Sequence, residues 1–188
     1  MFARTTRLLL RPAWEEDAEA VFRGIGHEPI VRNLATAPWP YRPEHAAAWV
    51  AKEPAHNRPA SLIFRPGAEL QLIGAIGIHD TPEGEVELGY WIGRDHWGRG
   101  YATEAGRAMI SFAQHGLRLP RLVAGHFLDN PASGGVLRKL GFQPTGRIGM
   151  RHSLARGSEA PMVEMVLELV RRDTDQEAKE QALPRIAA

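Results

Sequence analysis

Between Ser61 and Ile92 the chain reads as three short runs, Ser61 to Phe64, Leu70 to His79 and Glu85 to Ile92, separated by Pro66-Gly67 and by Thr81-Pro82-Glu83-Gly84. Runs of this length broken by turn residues predict an antiparallel meander. A meander needs a cover for at least one face, so the flanking segments decide the fold class. Gly74 and Gly77 inside the second run mark a bulge or a close backbone approach.

Upstream, Leu8, Leu9 and Leu10 form a short strand stopped by Pro12. Ala18, Val21, Phe22 and Ile25 then recur at helical spacing behind Glu15, Glu16 and Asp17, which sit where the macrodipole favours negative charge. Trp39-Pro40-Tyr41-Arg42-Pro43 is a rigid connector into a second helix with Ala46, Trp49 and Val50 on its apolar face. Downstream, Ala105, Ala108, Met109 and Phe112 form a helical stripe ending near Gly116, followed by a short strand at Leu122-Val123-Ala124. Asn130 then caps a helix with Pro131 at its first position, Val136, Leu137 and Leu140 inward, and Gly141 where a C′ glycine belongs. Strands at Thr145 to Met150 and Met162 to Leu169 finish the pattern. The order predicts one α+β domain over residues 1–170, built on a mixed, mostly antiparallel sheet of six to seven strands flanked by helices. A polar tail, 171–188, follows it.

Composition narrows the chemistry. The 23 basic and 22 acidic residues leave a formal charge of +1, so no net excess exists to hold a polyanion, and nucleic acid is not an expected partner. Without cysteine the chain makes no disulfide, thiolate metal site or acyl-cysteine intermediate. The eight histidines include no pair three or four residues apart, which argues against a histidine metal site. No apolar run reaches about 18 residues, and Met1 to Arg7 contains no signal-peptide core, so no membrane partner and a cytoplasmic location are expected.

The most informative stretch is Gly89-Tyr90-Trp91-Ile92-Gly93-Arg94-Asp95-His96-Trp97-Gly98-Arg99-Gly100-Tyr101-Ala102-Thr103-Glu104-Ala105, a strand, a glycine loop and a helix start. Glycines there let backbone N–H groups converge on an anion at the positive end of a helix, with phosphate or pyrophosphate the obvious guest. Arg99, and secondarily Arg94, add charge-assisted contacts. A tight turn with no ligand would leave the same two glycines. The loop is neither a Walker loop nor the three-glycine dinucleotide fingerprint.

Together with Asn130-Pro131-Ala132-Ser133 and Leu140-Gly141-Phe142, this loop resembles the GNAT N-acetyltransferase superfamily. The superfamily pattern Gln/Arg-x-x-Gly-x-Gly/Ala matches Trp97-Gly98-Arg99-Gly100-Tyr101-Ala102 except at Trp97. That exception, the opening Thr6-Arg7-Leu8-Leu9-Leu10-Arg11-Pro12 and the Gly-Tyr-Trp-Ile strand are similar to the ribosomal-protein N-terminal acetyltransferase branch, the RimJ/RimL type. The resemblance runs from about Thr6 to Leu169 and implies a GNAT-like domain using acetyl-CoA. It places pyrophosphate on the backbone of Arg99, Gly100, Tyr101, Ala102 and Thr103, with Trp97 and Gly98 also counted in the cofactor-binding loop. The pantetheine arm would pair with Tyr90, Trp91 and Ile92, held by Asn130, and Ser133 would face the sulfur. Gly134 and Gly135 depart from the family's larger residues, at about 1 kcal/mol each relative to Ala.

Acyl transfer to an amine requires a neutral amine, stabilisation of the tetrahedral oxyanion and a proton for the departing thiolate. With no cysteine, direct attack in a ternary complex is favoured. Along Glu85 to Ile92 the side chains alternate, and Glu87 points away from the face of Val86, Leu88, Tyr90 and Ile92. It is the candidate general base, directly or through water; a solvated strand carboxylate is the alternative. Ser133 is no hydrolase nucleophile elbow, because Pro131 replaces the first glycine of that motif. The expected activity is N-acetyl transfer to a primary amine, a peptide or protein N-terminus or a small molecule. A non-catalytic CoA-binding sensor is the alternative. Acceptor walls are expected from the irregular stretches 24–41 and 150–161, and a homodimer is compatible with the family.

Overall fold

The computed structural model describes residues 1–53 and 57–169. Eight strands form a single sheet in the order β1-β2-β3-β4-β5-β6-β8-β7. Here β1 is Ala3–Arg4, β2 Leu9–Arg11, β3 Ala60–Arg65, β4 Gln71–Asp80 and β5 Val86–Ile92, followed by β6 Arg121–Phe127, β7 Gln143–Ser153 and β8 Ser158–Glu168. Every pairing is antiparallel except β5 with β6. The eighth strand beyond the expected six to seven is the two-residue β1, too short to carry a period. The boundary expected at residue 170 and the tail 171–188 lie outside the described residues.

Both faces of the central strands are covered, and alternation along them sorts side chains between two cores, while the edge strand β7 is largely exposed. Leu10, Ile63, Ile76, Leu88 and Ile92 pack with Tyr101, Ala105 and Met109 of α4 (Tyr101–Ser111) and Leu137 of α5 (Pro131–Lys139). On the opposite face Leu62, Phe64, Ala75 and Trp91 pack under Val21 and Ile25 of α1 (Ala18–Ile25), Ile30 and Val31 of α2 (Glu28–Val31), and Ala46 and Val50 of α3 (Pro43–Val50). A strand buried on both sides reads as a continuous apolar run, which is why Leu62-Ile63-Phe64 shows no alternation. The register slips where Ile63 pairs with Gly74 but Phe64 with Leu72, so Ile73 is the extra residue of a bulge beside the glycine expected to mark one.

The Arg11 guanidinium donates to both oxygens of Asp17 at 2.7 and 2.8 Å and lies over the Trp14 and Phe64 rings. This buried pair ties β2 to the start of α1. Beyond α4 the chain makes one wider turn, Phe112–Gly116, before β6.

The feature that positions the site is the single parallel pairing. β5 and β6 are registered at Glu87 with Val123. Past that point β5 continues to Ile92 and β6 to Phe127 with no further registered pair, so the strands part and the sheet opens as a wedge. Their helices, α4 after β5 and α5 after β6, begin at its mouth.

Candidate active site

The glycine loop takes a shape that only glycine adopts cheaply. Gly98 and Gly100 have φ of 73° and 80°, and Gly100 is the left-handed N-cap of α4. The first helical bond runs from Glu104 N to Gly100 O at 3.0 Å. The N–H groups of Tyr101, Ala102 and Thr103 therefore precede the ladder, at the positive end of an 11-residue helix. The Tyr101 and Thr103 side chains are buried, so these residues can meet an anion only through backbone. Trp97 braces the loop, its Nε1 donating to Ile92 O at 2.7 Å and so clipping the loop to the end of β5.

The loop is held from beneath by residues that composition and spacing did not single out. The Glu104 carboxylate accepts from Thr5 Oγ1 at 2.6 Å, from Arg7 N at 2.9 Å and from Arg7 Nε at 2.7 Å. Arg7 Nη1 donates to Arg99 O at 3.0 Å, and its guanidinium lies 4.8 Å from the Tyr101 ring centroid. Burial alone would raise the Glu104 pKa, but the bonds from Thr5 and Arg7, with the charge of Arg7, hold it below the usual carboxylate value. The turn between β1 and β2 and the segment that carries the glycine loop, two separate parts of the family pattern, thus meet at Glu104 and Arg99.

Across the wedge, Asn130 caps α5, its Oδ1 accepting from Ser133 N at 3.2 Å, which leaves the amide NH2 as donor. Ser133 Oγ lies 2.8 Å from Tyr90 Oη. Burial pushes the Tyr90 phenol up to about 12, against a smaller opposing effect of its bond to Ser133. Gly134 is explained by close approach: a Cβ there would lie 2.6 Å from His126 Nε2, whereas one on Gly135 would meet nothing within 4 Å.

Glu87 does point away from Leu88, Tyr90 and Ile92, but it is not a solvated strand carboxylate: it is only 7% exposed. The opposite face is roofed rather than open, and period alone does not distinguish the two. Arg151 Nη1, from β7, donates to Oε1 at 2.9 Å and Oε2 at 2.7 Å, and His79 Nε2, from β4, lies 3.5 Å from Oε2. Burial would raise the Glu87 pKa; hydrogen bonds and charge from His79 and Arg151 bring it below the usual value.

The two irregular stretches expected to wall the acceptor site come together on this face. Ser153 Oγ donates to Leu34 O at 2.8 Å, Leu154 N to Ala35 O at 3.0 Å, and Arg156 Nε to Arg32 O at 2.7 Å. Arg32 and Arg156 both pair with Asp129, the residue before Asn130. Arg94 lines a separate open cavity of about 270 Å³ with Arg23, His27, Leu72 and His96.

A family model for the acetyltransferase (GNAT) domain matches residues 7–143. The chain belongs to the GNAT acetyltransferase family. It is 33% identical over 153 residues to the uncharacterized N-acetyltransferase YoaA of Bacillus subtilis, covering 76% of this chain and 82% of that protein. It is 34% identical over 90 residues to the ribosomal-protein-serine acetyltransferase of Escherichia coli, covering 46% of this chain and half of the enzyme. A GNAT-family acetyltransferase structure from Bacillus anthracis superposes with a TM-score of 0.77 at 22% identity, covering 90% of this chain and 99% of that one. RimL, the ribosomal L7/L12 α-N-protein acetyltransferase solved with coenzyme A, superposes with a TM-score of 0.71 at 19% identity, covering 89% and 97%. As a GNAT acetyltransferase the chain uses acetyl-CoA, and its loop fits that donor: N–H groups free at the helix start, positive φ at both glycines, and open space about Gly98. Among the described residues no group of three or more His, Asp or Glu could hold a metal ion, and no helix is long and apolar enough to cross a membrane.

Proposed function

We propose that this chain moves the acetyl group of acetyl-CoA to the α-amine of a peptide or protein N-terminus, by direct attack in a ternary complex. The observation that carries the reading is the wedge past Glu87 and Val123, which leaves the edge of Tyr90, Trp91 and Ile92 free for an extended thioester arm. At its mouth stand the free N–H groups of α4; inside it stand Ser133 and Tyr90. Pyrophosphate at Arg99 to Thr103 and the arm held by the Asn130 amide bring the thioester sulfur to Ser133. The acceptor enters from the other face, between the walls at Arg32 to Ala35 and Ser153 to Arg156, where Glu87 lies. There the amine nitrogen bonds to the acetyl carbon, the C–S bond breaks, and the nitrogen's proton is drawn to the Glu87 side while Ser133, backed by Tyr90, donates toward the thiolate. A protein N-terminus is favoured over a small amine by the relative named a ribosomal-protein-serine acetyltransferase.

The test is release of CoA from acetyl-CoA in the presence of a serine-initiated peptide, with the same peptide blocked at its N-terminus as control. Release with the free peptide alone is expected; equal release with both, or with neither, contradicts the proposal.

A further inference from the structure

We propose that His79 receives the proton from the attacking amine and that Glu87 acts through it as a positioning carboxylate. This rests on the acetyl-transfer reading and names its base.

Glu87 is poorly placed to act alone. Both of its oxygens already accept from Arg151 Nη1, and the side chain is almost wholly covered. A carboxylate so enclosed, with both oxygens engaged by a guanidinium, is tied into an ion pair and presents little of itself to an incoming amine. His79 sits opposite Glu87 in the β4–β5 register and is open, with 58% of its side chain exposed. Its Nε2 approaches Glu87 Oε2 at 3.5 Å. Its other edge overhangs Gly89: a Cβ built there would lie 3.6 Å from His79 Cε1 and 3.9 Å from Nδ1, with no other non-neighbouring atom within 4 Å among the described residues. The absent side chain leaves a vacant patch of β5 beyond Glu87, on the stretch where β6 has already parted from it.

The ring therefore spans from a buried anion to an open spot on the floor of the acceptor face. A carboxylate at Nε2 favours the tautomer with its hydrogen there and leaves the Nδ1 lone pair toward Gly89. The order is carboxylate, imidazole, reacting atom, the arrangement by which an orienting acid holds a general base. The incoming ammonium gives one proton to Nδ1; the neutral nitrogen then bonds to the acetyl carbon, the C–S bond breaks with its electron pair leaving on sulfur, and the second proton shed by nitrogen passes to the thiolate. Glu87 stabilises the imidazolium, whose exposed edge returns the proton to solvent. The other charged groups nearby are Arg151 beyond Glu87, Glu83 in the β4–β5 turn, whose field is felt by both, and the Arg58–Asp80 pair at the end of β4.

The experiment uses the full chain, acetyl-CoA and the serine-initiated peptide, with kcat/KM measured against pH for the unsubstituted protein, His79→Gln, Glu87→Gln and the double variant. His79→Gln should lose about 10²-fold near neutrality, recover part of it at high pH as the amine deprotonates in solution, and keep its acetyl-CoA affinity. Glu87→Gln should cost far less in the His79→Gln background than alone, because the two act as a unit. Nitrogen NMR of the His79 ring should show hydrogen on Nε2 in the unsubstituted protein and a mixed tautomer in Glu87→Gln. A His79→Gln protein with full turnover and an unaltered pH profile, additive losses in the double variant, or hydrogen on Nδ1 would overturn the inference. No CoA release by the unsubstituted protein would instead bring down the acetyl-transfer reading beneath it.

Discussion

Tyr90 Oη and Ser133 Oγ, on β5 and α5 and 43 residues apart in sequence, lie 2.8 Å from each other across the wedge that opens the sheet. Because burial pushes the phenol up to about 12, the pair stays protonated through the working range of an amine acetyltransferase. One hydroxyl can donate within the pair while the other points into the wedge. Ser133→Ala should lower kcat and kcat/KM together by about tenfold or more, with acetyl-CoA affinity held, since a group facing a departing thiolate acts in the transition state. Tyr90→Phe should do the same to a smaller extent. Calorimetry with acetyl-CoA alongside steady-state turnover checks both; a rise in KM for acetyl-CoA with unaltered kcat would make the pair a binding feature.

The Glu104 clamp predicts an acid-sensitive loop. The ion pair with Arg7, which is half-exposed, contributes little by itself; the contacts from Thr5 Oγ1 and Arg7 N matter more. Glu104→Gln should cost about 1–3 kcal/mol at neutral pH, or roughly 2–4 °C in Tm per kcal/mol. The folded-state pKa is depressed, so the stabilisation is complete above the unfolded value near 4.3 and is lost as pH falls through the lower folded value. Thermal melts from pH 7 to pH 3 should show the Glu104→Gln deficit shrinking toward acid; a constant deficit would mean the charge is not what holds the loop.

Two adjacent glycines in α5 should respond in opposite senses. Gly135→Ala meets open space and should stabilise by up to about 1 kcal/mol through helix propensity. Gly134→Ala puts a Cβ 2.6 Å from His126 Nε2, so the ring must swing and give up its Nδ1 contact with Phe127 O. Tm should fall despite the better helix former. Equal rises in both variants would show that the ring moves freely.

Much of the fold and the donor loop is legible in the sequence because it is local. Glycine positions, the cap at Asn130 and Pro131, and the apolar stripes of α4 and α5 each depend on a few neighbouring residues, and the meander announces itself through its turns. The two-residue β1 and four-residue α2 are not legible, being shorter than any period. Nor are the partners that tune the site, since Arg7 meets Glu104 across 97 positions and Arg151 meets Glu87 across 64. Nothing in a local pattern fixes such pairings, although Glu104 lies within the motif itself, where an acid in a helix's first turn invites the question of what it holds. Alternation puts Glu87 on the right face but in the wrong environment, because it reports direction and not what covers the side chain.

The most direct test is mass spectrometry of a peptide bearing both a free N-terminal serine and an internal lysine, after incubation with the protein and acetyl-CoA. One acetyl group on the N-terminal amine is predicted, absent with Gly100→Val, whose added side chain cannot adopt a φ of 80° where backbone must meet phosphate. Acetyl-CoA should also stabilise the unsubstituted protein by about 2.7 kcal/mol at a hundredfold excess over its Kd, and leave folded Gly100→Val unshifted. Stabilisation by acetyl-CoA with no acetylated peptide would contradict the account.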